Sequence, residues 1–234
     1  MKGERLQKFI ASTGITSRRK AEKLILDRRI SVDGNVIDKL GTRVFRKNIV
    51  KLDGRVISSK RHVYYLLNKP SGYICSNRSF PNQPSVIKLI KSNIPIFSVG
   101  RLDQNTTGLL LLTNDGDFAQ QIIHPKFRII KGYRVIINGL HRDLNLYNKR
   151  IYFKDINYYV NKIKFIRYNK KLNVSVIYVF ISEGKKREVK RIFKALGLSV
   201  IKLHRFSLGN LKLSNLKLGS YKEFKKEKLK KLIY

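Results

Sequence analysis

Residues 99–116 read VGRLDQNTTGLLLLTNDG. Leu109, Leu110, Leu111 and Leu112 form an apolar run bounded by turn-forming residues, the pattern of a strand buried on both faces. Asp103 precedes that run in a loop rich in Gly, Asn and Thr. The loop places a carboxylate at the mouth of a core strand, with Gly100, Gly108 and Gly116 allowing tight turns around it. From this stretch alone Asp103 has two readings, a side chain that caps its own loop through an Asx-turn or the head of a binding or catalytic site.

Around this stretch the chain has 234 residues, enough for one large domain or for a catalytic domain with a small appendage. Lys and Arg total 51 against 15 Asp and Glu, a formal net charge of +36. Such a charge repels itself in a compact fold unless a polyanion lies against it, and nucleic acid is the partner it fits. A membrane surface fits less well, because neither a long apolar run nor a basic-then-apolar leader is present. The single Cys75 excludes an internal disulfide, and four scattered His residues offer no zinc-binding spacing. A reduced compartment, either bacterial cytoplasm or organelle matrix, is the expected location.

N-terminal to the opening stretch, Leu6, Phe9 and Ile10 recur at helical spacing over residues 4–14, and Ala21, Leu24 and Ile25 mark a second helix after Ser17. Arg5, Lys8, Arg18, Arg19, Lys20, Lys23 and Arg28 cluster on this small unit, where cations beside a helix N-terminus suit phosphate contacts. Asp33-Gly34 and Asp53-Gly54 between short apolar runs each signal a hairpin. This part resembles an alpha-L RNA-binding domain of the kind carried by ribosomal small-subunit protein four, through Arg5 to Lys8, Ser17-Arg18-Arg19, Ala21-Glu22 and Ser31 to Gly34. It departs from that pattern where Arg29 stands at a position usually held by glycine. The expected division is 1–58 for this domain, 59–62 for a polar linker and 63–234 for a second domain.

In the second domain, strands are expected at 63–67, 130–137, 162–166 and 173–181, with a turn at 70–72. Short helices are expected at 85–90 and 117–123, the latter ended by His124-Pro125. Residues 186–196 form an amphipathic helix closed by Gly197, with Val189, Ile192, Phe193 and Leu196 as its apolar stripe and Arg187, Lys190, Arg191 and Lys194 on the other side. Residues 199–213 read as a strand pair turning near Gly209-Asn210, and 222–231 as a charged tail, solvated or frayed. Strands without a regular alternation with helices imply an α+β fold, a mixed and mostly antiparallel sheet with flanking helices.

Walker loops, serine elbows, paired helical His residues and dinucleotide fingerprints are all missing. Of the few acids, Asp103 is the one held beside a core strand, and Glu183 comes next. Together the residues YYLLNKPSG (64–72), Gly100 to Asp103, Thr113 to Gly116, Tyr133-Arg134-Val135 and the 183–191 segment resemble a pseudouridine synthase. The resemblance is to the group of ribosomal small-subunit synthase A and large-subunit synthase B. It implies that Asp103 drives uridine isomerisation, by attack on the anomeric carbon or by removal of a sugar proton. It also implies that Tyr133 stacks on the target uracil and that Lys190 pairs with Asp103. Arg101, beside the Asp103 loop, either holds the flipped-out site or a neighbouring phosphate or forms a salt bridge to a local acid, and Arg187 and Arg191 on the cationic side of the 186–196 helix are candidate RNA contacts. Glu188, Asn105-Thr106 and His124-Pro125 look more like the large-subunit type. The expectation is a monomeric enzyme without cofactor that acts on ribosomal RNA or an assembly intermediate, large-subunit before small-subunit. A non-catalytic RNA-binding or assembly protein that kept the fold is the alternative.

Overall fold

The computed structural model describes residues 3–234. It divides into two compact units, one running to His62 with Asn93–Pro95 added, the other comprising Val63–Ser92 and Ile96–Tyr234.

In the first unit, β1 (Glu4–Arg5) leads into α1 (Leu6–Ser12), and α2 (Arg18–Leu26) follows. Ser17 caps α2 by accepting from the Lys20 N–H. Strands β2 (Ile30–Val32), β3 (Asn35–Ile37), β5 (Val50–Leu52) and β6 (Arg55–Val56) form an antiparallel sheet, while β4 (Arg43–Val44) pairs with β1. Both expected hairpins are present, turning through Asp33-Gly34 and Asp53-Gly54. Leu6, Ile10, Ala21, Ile25, Ile30, Val44 and Val50 fill the core. After α2 the left-handed position is taken by Arg28, at φ 58°. Arg29 instead forks its guanidinium onto the Asp53 carboxylate, so no glycine is needed there.

The second unit is built on a ten-stranded sheet. Its strands are β7 (Tyr64–Lys69), β8 (Phe97–Val99), β9 (Thr107–Thr113), β10 (Lys131–Asn138), β11 (Leu146–Phe153), β12 (Ile156–Asn169), β13 (Val174–Ile181), β14 (Val200–Leu208), β15 (Leu211–Lys212) and β16 (Tyr221–Glu223). They run in the order β11-β12-β13-β10-β14-β9-β7-β16, with β8 on β9 and β15 on β14. Every pairing is antiparallel except β14 with β9. This is the mixed, mostly antiparallel sheet expected of the α+β class. The helices are α3 (Gly116–Ile123), α4 (Glu188–Ala195) and α5 (Lys226–Ile233).

The parallel junction of β9 and β14 demands a glycine. Gly108 sits opposite Arg205 at φ +109°, and a Cβ on it would lie 2.2 Å from the Arg205 carbonyl oxygen. Only a residue without a side chain lets the two backbones meet.

Several local expectations are corrected. Residues 222–231 are not a frayed tail: β16 extends the sheet at β7, and α5 buries Leu229 and Ile233 against Tyr64, Phe118 and Leu211. Lys226 Nζ lies 2.6 Å from a carboxylate oxygen of buried Asp115. That oxygen also accepts from the Tyr64 hydroxyl, while the other caps α3. The apolar residues 224, 229, 232 and 233 are sparse among lysines, so their shared face is visible only once the sheet supplies a surface for it. The strand β11 was not expected, because its mixed polar residues on an edge strand do not alternate cleanly. Residues 86–89 form a 3-10 turn rather than an α-helix, and α4 starts at Glu188 because Arg187 is left-handed at φ 53°.

Candidate active site

Asp103 lies in the loop between β8 and β9, half exposed. Its backbone carbonyl, not its carboxylate, closes the local turn by accepting from the Thr106 N–H at 3.0 Å. The Asx-turn reading is therefore not realised, and the side chain is directed elsewhere. The loop is held from below by Lys69, whose fully buried ammonium donates to the carbonyls of Pro70, Gln104 and Thr106 at 2.9 to 3.0 Å. Burial pushes the Lys69 pKa down to about 8, against the smaller upward pull of Cys75 and Asp103. The Leu102 N–H is tied to Cys75 Sγ. The loop is thus braced on both sides of Asp103, which fixes where its carboxylate can point.

What the carboxylate meets is Lys190, with Nζ at 3.6 Å from Oδ2. Lys190 projects from the first turns of α4, a helix whose Val189, Ile192 and Phe193 are buried. Tyr133 of β10 and Arg205 of β14 are cross-strand partners, 7% and 4% exposed, on the same face of the sheet. Asp103, Lys190, Tyr133 and Arg205 line one cleft of about 370 Å³, together with Lys131, Glu188, Arg101, Arg187 and apolar Leu102, Ile181 and Leu203. An aromatic wall, an acid and several cations thus converge on a space large enough for a nucleoside.

Three groups in this cleft have no counterpart among the site residues expected from sequence. Arg205 donates from Nε to the Leu109 carbonyl at 2.7 Å, while its Nη2 is buried without a hydrogen-bond partner. Lys131 donates to the carbonyls of Ile129 and Ser182, and burial, reinforced by the Arg205 charge, lowers its pKa to about 8. Glu188 is 3% exposed; burial raises its pKa to about 7, partly opposed by the Lys185 N–H that its carboxylate accepts. Glu188 stood in the 183–191 motif without a catalytic role, and Lys131 lay in the strand expected at 130–137 without one. Arg205 carried no local signal, since an arginine in an alternating strand reads as solvated.

Arg101 and Arg187 are exposed at the cleft, and Arg101 forms no ion pair with an acid among the described residues. Arg191 turns away from the cleft and donates to the Tyr158 hydroxyl at 3.1 Å. In the first unit Arg5, Arg18, Arg19, Lys20, Lys23 and Arg28 are exposed, and Lys8 is half buried 3.9 Å from Glu4.

Residues 63–195 match the model of a family described as RNA pseudouridylate synthase, and residues 4–50 match the S4 domain. The chain belongs to the RNA pseudouridylate synthase family. It is 38% identical over 233 residues to the ribosomal large subunit pseudouridine synthase B of Bacillus subtilis (strain 168), covering 98% of this chain and 95% of that protein. An uncharacterized RNA pseudouridine synthase of Aquifex aeolicus (strain VF5) is 36% identical over 234 residues, with 98% and 93% covered. A crystal structure of a pseudouridylate synthase superposes with a TM-score of 0.68 at 27% identity, over 98% of this chain and 99% of that one. As a pseudouridine synthase the chain is an isomerase acting on RNA, and an S4 domain precedes its catalytic part.

Proposed function

We propose that this chain converts a specific uridine of large-subunit ribosomal RNA into pseudouridine. The convergence of Asp103, Lys190 and Tyr133 on one nucleoside-sized cleft carries this reading. The likeness to the Bacillus large-subunit synthase B over nearly its whole length supports the substrate class.

In the reaction the N1–C1′ bond of uridine breaks, a C5–C1′ bond forms, the C5 proton leaves and N1 gains a proton. No net change of oxidation state occurs, so the chemistry calls for no cofactor. Asp103 either attacks C1′ or takes a sugar proton. Both routes need its carboxylate ionised, and the Lys190 ammonium lies 3.6 Å from it. Tyr133 stacks on the uracil released from its sugar bond and assists loss of the C5 proton. Flipping the base out of structured RNA costs a few kcal/mol, and phosphate contacts from Arg101, Arg187 and the N-terminal cations offset it.

The working division is an RNA-binding domain over 1–58, a linker at 59–62 and a catalytic domain over 63–234, acting as a monomer where ribosomes are assembled. Release of tritium from precursor rRNA labelled at uridine C5 tests the reading. Wild type should release label, and Asp103→Asn should release none. Binding of rRNA without any release by wild type would leave a non-catalytic assembly protein instead. Release by Asp103→Asn at the wild-type rate would refute the site. Mapping pseudouridines with and without the protein then tells large-subunit from small-subunit targets.

A further inference from the structure

The strands that present Tyr133 and Arg205 to the cleft present a second set of side chains to the opposite side. Register places these in three rows across β12, β13, β10 and β14. One row is Lys164, Tyr178, Arg134 and His204; another is Arg167, Val176, Ile136 and Lys202. In the third, Lys162 stands beside Phe180 and Gly132, with Tyr147 of β11 next to it. The Lys162 ammonium lies 5.0 Å from the centre of the Tyr147 ring.

Phe206 joins this face, with its ring centroid 4.9 Å from that of Tyr178 and 5.9 Å from that of Phe180. Gly132 makes room for it, because a Cβ there would come within 2.8 Å of the Phe206 ring. Phe206, Tyr178 and Phe180 are only half buried, whereas Arg134, Lys164, Arg167 and Lys202 around them are exposed. No acidic residue stands in the three rows.

We propose that this reverse face is a stacking platform for single-stranded RNA, engaging a segment of the substrate other than the uridine in the cleft. The proposal rests on the RNA-modifying function given above. Half-exposed rings on an open sheet offer flat faces to bases, and the cations bordering them meet the backbone phosphates. A face with rings and cations but no acids is complementary to RNA, and it does not match a basic protein partner. A sheet face built only to meet water has no need of three clustered rings or of a glycine that lets one of them lie across the strands.

The test uses the full chain and an eight-nucleotide oligoadenylate, which contains no uridine for the cleft. Phe206→Leu keeps the apolar cover but removes a π-face; Phe206→Tyr restores one. Arg134→Glu combined with Lys164→Glu reverses the flanking charge on exposed side chains. Oligoadenylate should bind about tenfold more weakly to Phe206→Leu and to the double charge variant, and as wild type to Phe206→Tyr. Photocrosslinks from 8-azidoadenosine in the oligonucleotide should map to Tyr178, Phe180 or Phe206. On labelled rRNA the charge variant should raise KM and leave kcat unchanged. Unaltered binding by both variants, or crosslinks confined to other surfaces, would overturn the platform while tritium release stayed intact. Platform binding without tritium release from wild type would instead overturn the catalytic reading on which it rests.

Discussion

Lys190 Nζ lies 3.6 Å from Asp103 Oδ2, joining the first turns of helix α4 to the loop that enters β9. Both side chains keep partial access to water, at 26% and 39% exposure, so the pair adds little to stability. Lys190→Met removes the positive charge nearest the carboxylate. We expect kcat to fall by about 10- to 100-fold, with a smaller change in KM, in a single-turnover tritium-release assay. Lys190→Arg keeps the charge and adds a second donor, and should retain activity close to wild type. Equal losses in the two variants would show that the charge is not what matters.

Glu188 sets a pH dependence of stability. Its folded pKa is about 7, above the ordinary value of 4.5, chiefly because it is buried. The folded chain therefore holds this proton more tightly than the unfolded chain. The stabilisation is complete below about pH 4.5 and is lost as pH rises through 7. Glu188→Gln keeps the acceptor for the Lys185 N–H and cannot ionise. It should be more stable than wild type by about 1–3 kcal/mol above pH 7 and equal to it near pH 4.5. Melting temperature against pH for both proteins checks this.

The C-terminal helix is part of the second unit's core. Leu229 is fully buried under β7, β9 and α3. Leu229→Ala should cost about 2–4 kcal/mol by removing buried methyl groups and leaving a cavity. Lys226→Met, which leaves the buried Asp115 carboxylate with fewer partners, should also destabilise the fold. Denaturant unfolding measures both, and a change within about 0.5 kcal/mol for Leu229→Ala would mean that the helix does not dock.

The exposed cations of α2 predict a salt response. Replacing Arg18, Arg19, Lys20 and Lys23 with Gln should weaken rRNA binding and reduce the slope of log affinity against log salt by about two to three. An unchanged slope would place the phosphate contacts elsewhere on the chain.

Residue patterns alone determined the elements whose signals are local. The four leucines at 109–112 are a strand buried on both faces, the two Asp-Gly pairs turn hairpins, and Val189, Ile192 and Phe193 form the buried stripe of α4. Each depends on side-chain period or turn chemistry within a few residues, which a linear chain displays directly.

Only the tertiary structure decided what Asp103 faces. Its loop is braced by Lys69, and the parallel approach of β14 to Gly108 brings Arg205 beneath the cleft and next to Tyr133. Tertiary packing also decided that a lysine-rich tail is a docked helix and that one set of strands carries different chemistry on its two faces. A buried cation and a solvated one look alike in sequence; what separates them is the carbonyls and rings that the fold brings around each, and those come from distant parts of the chain.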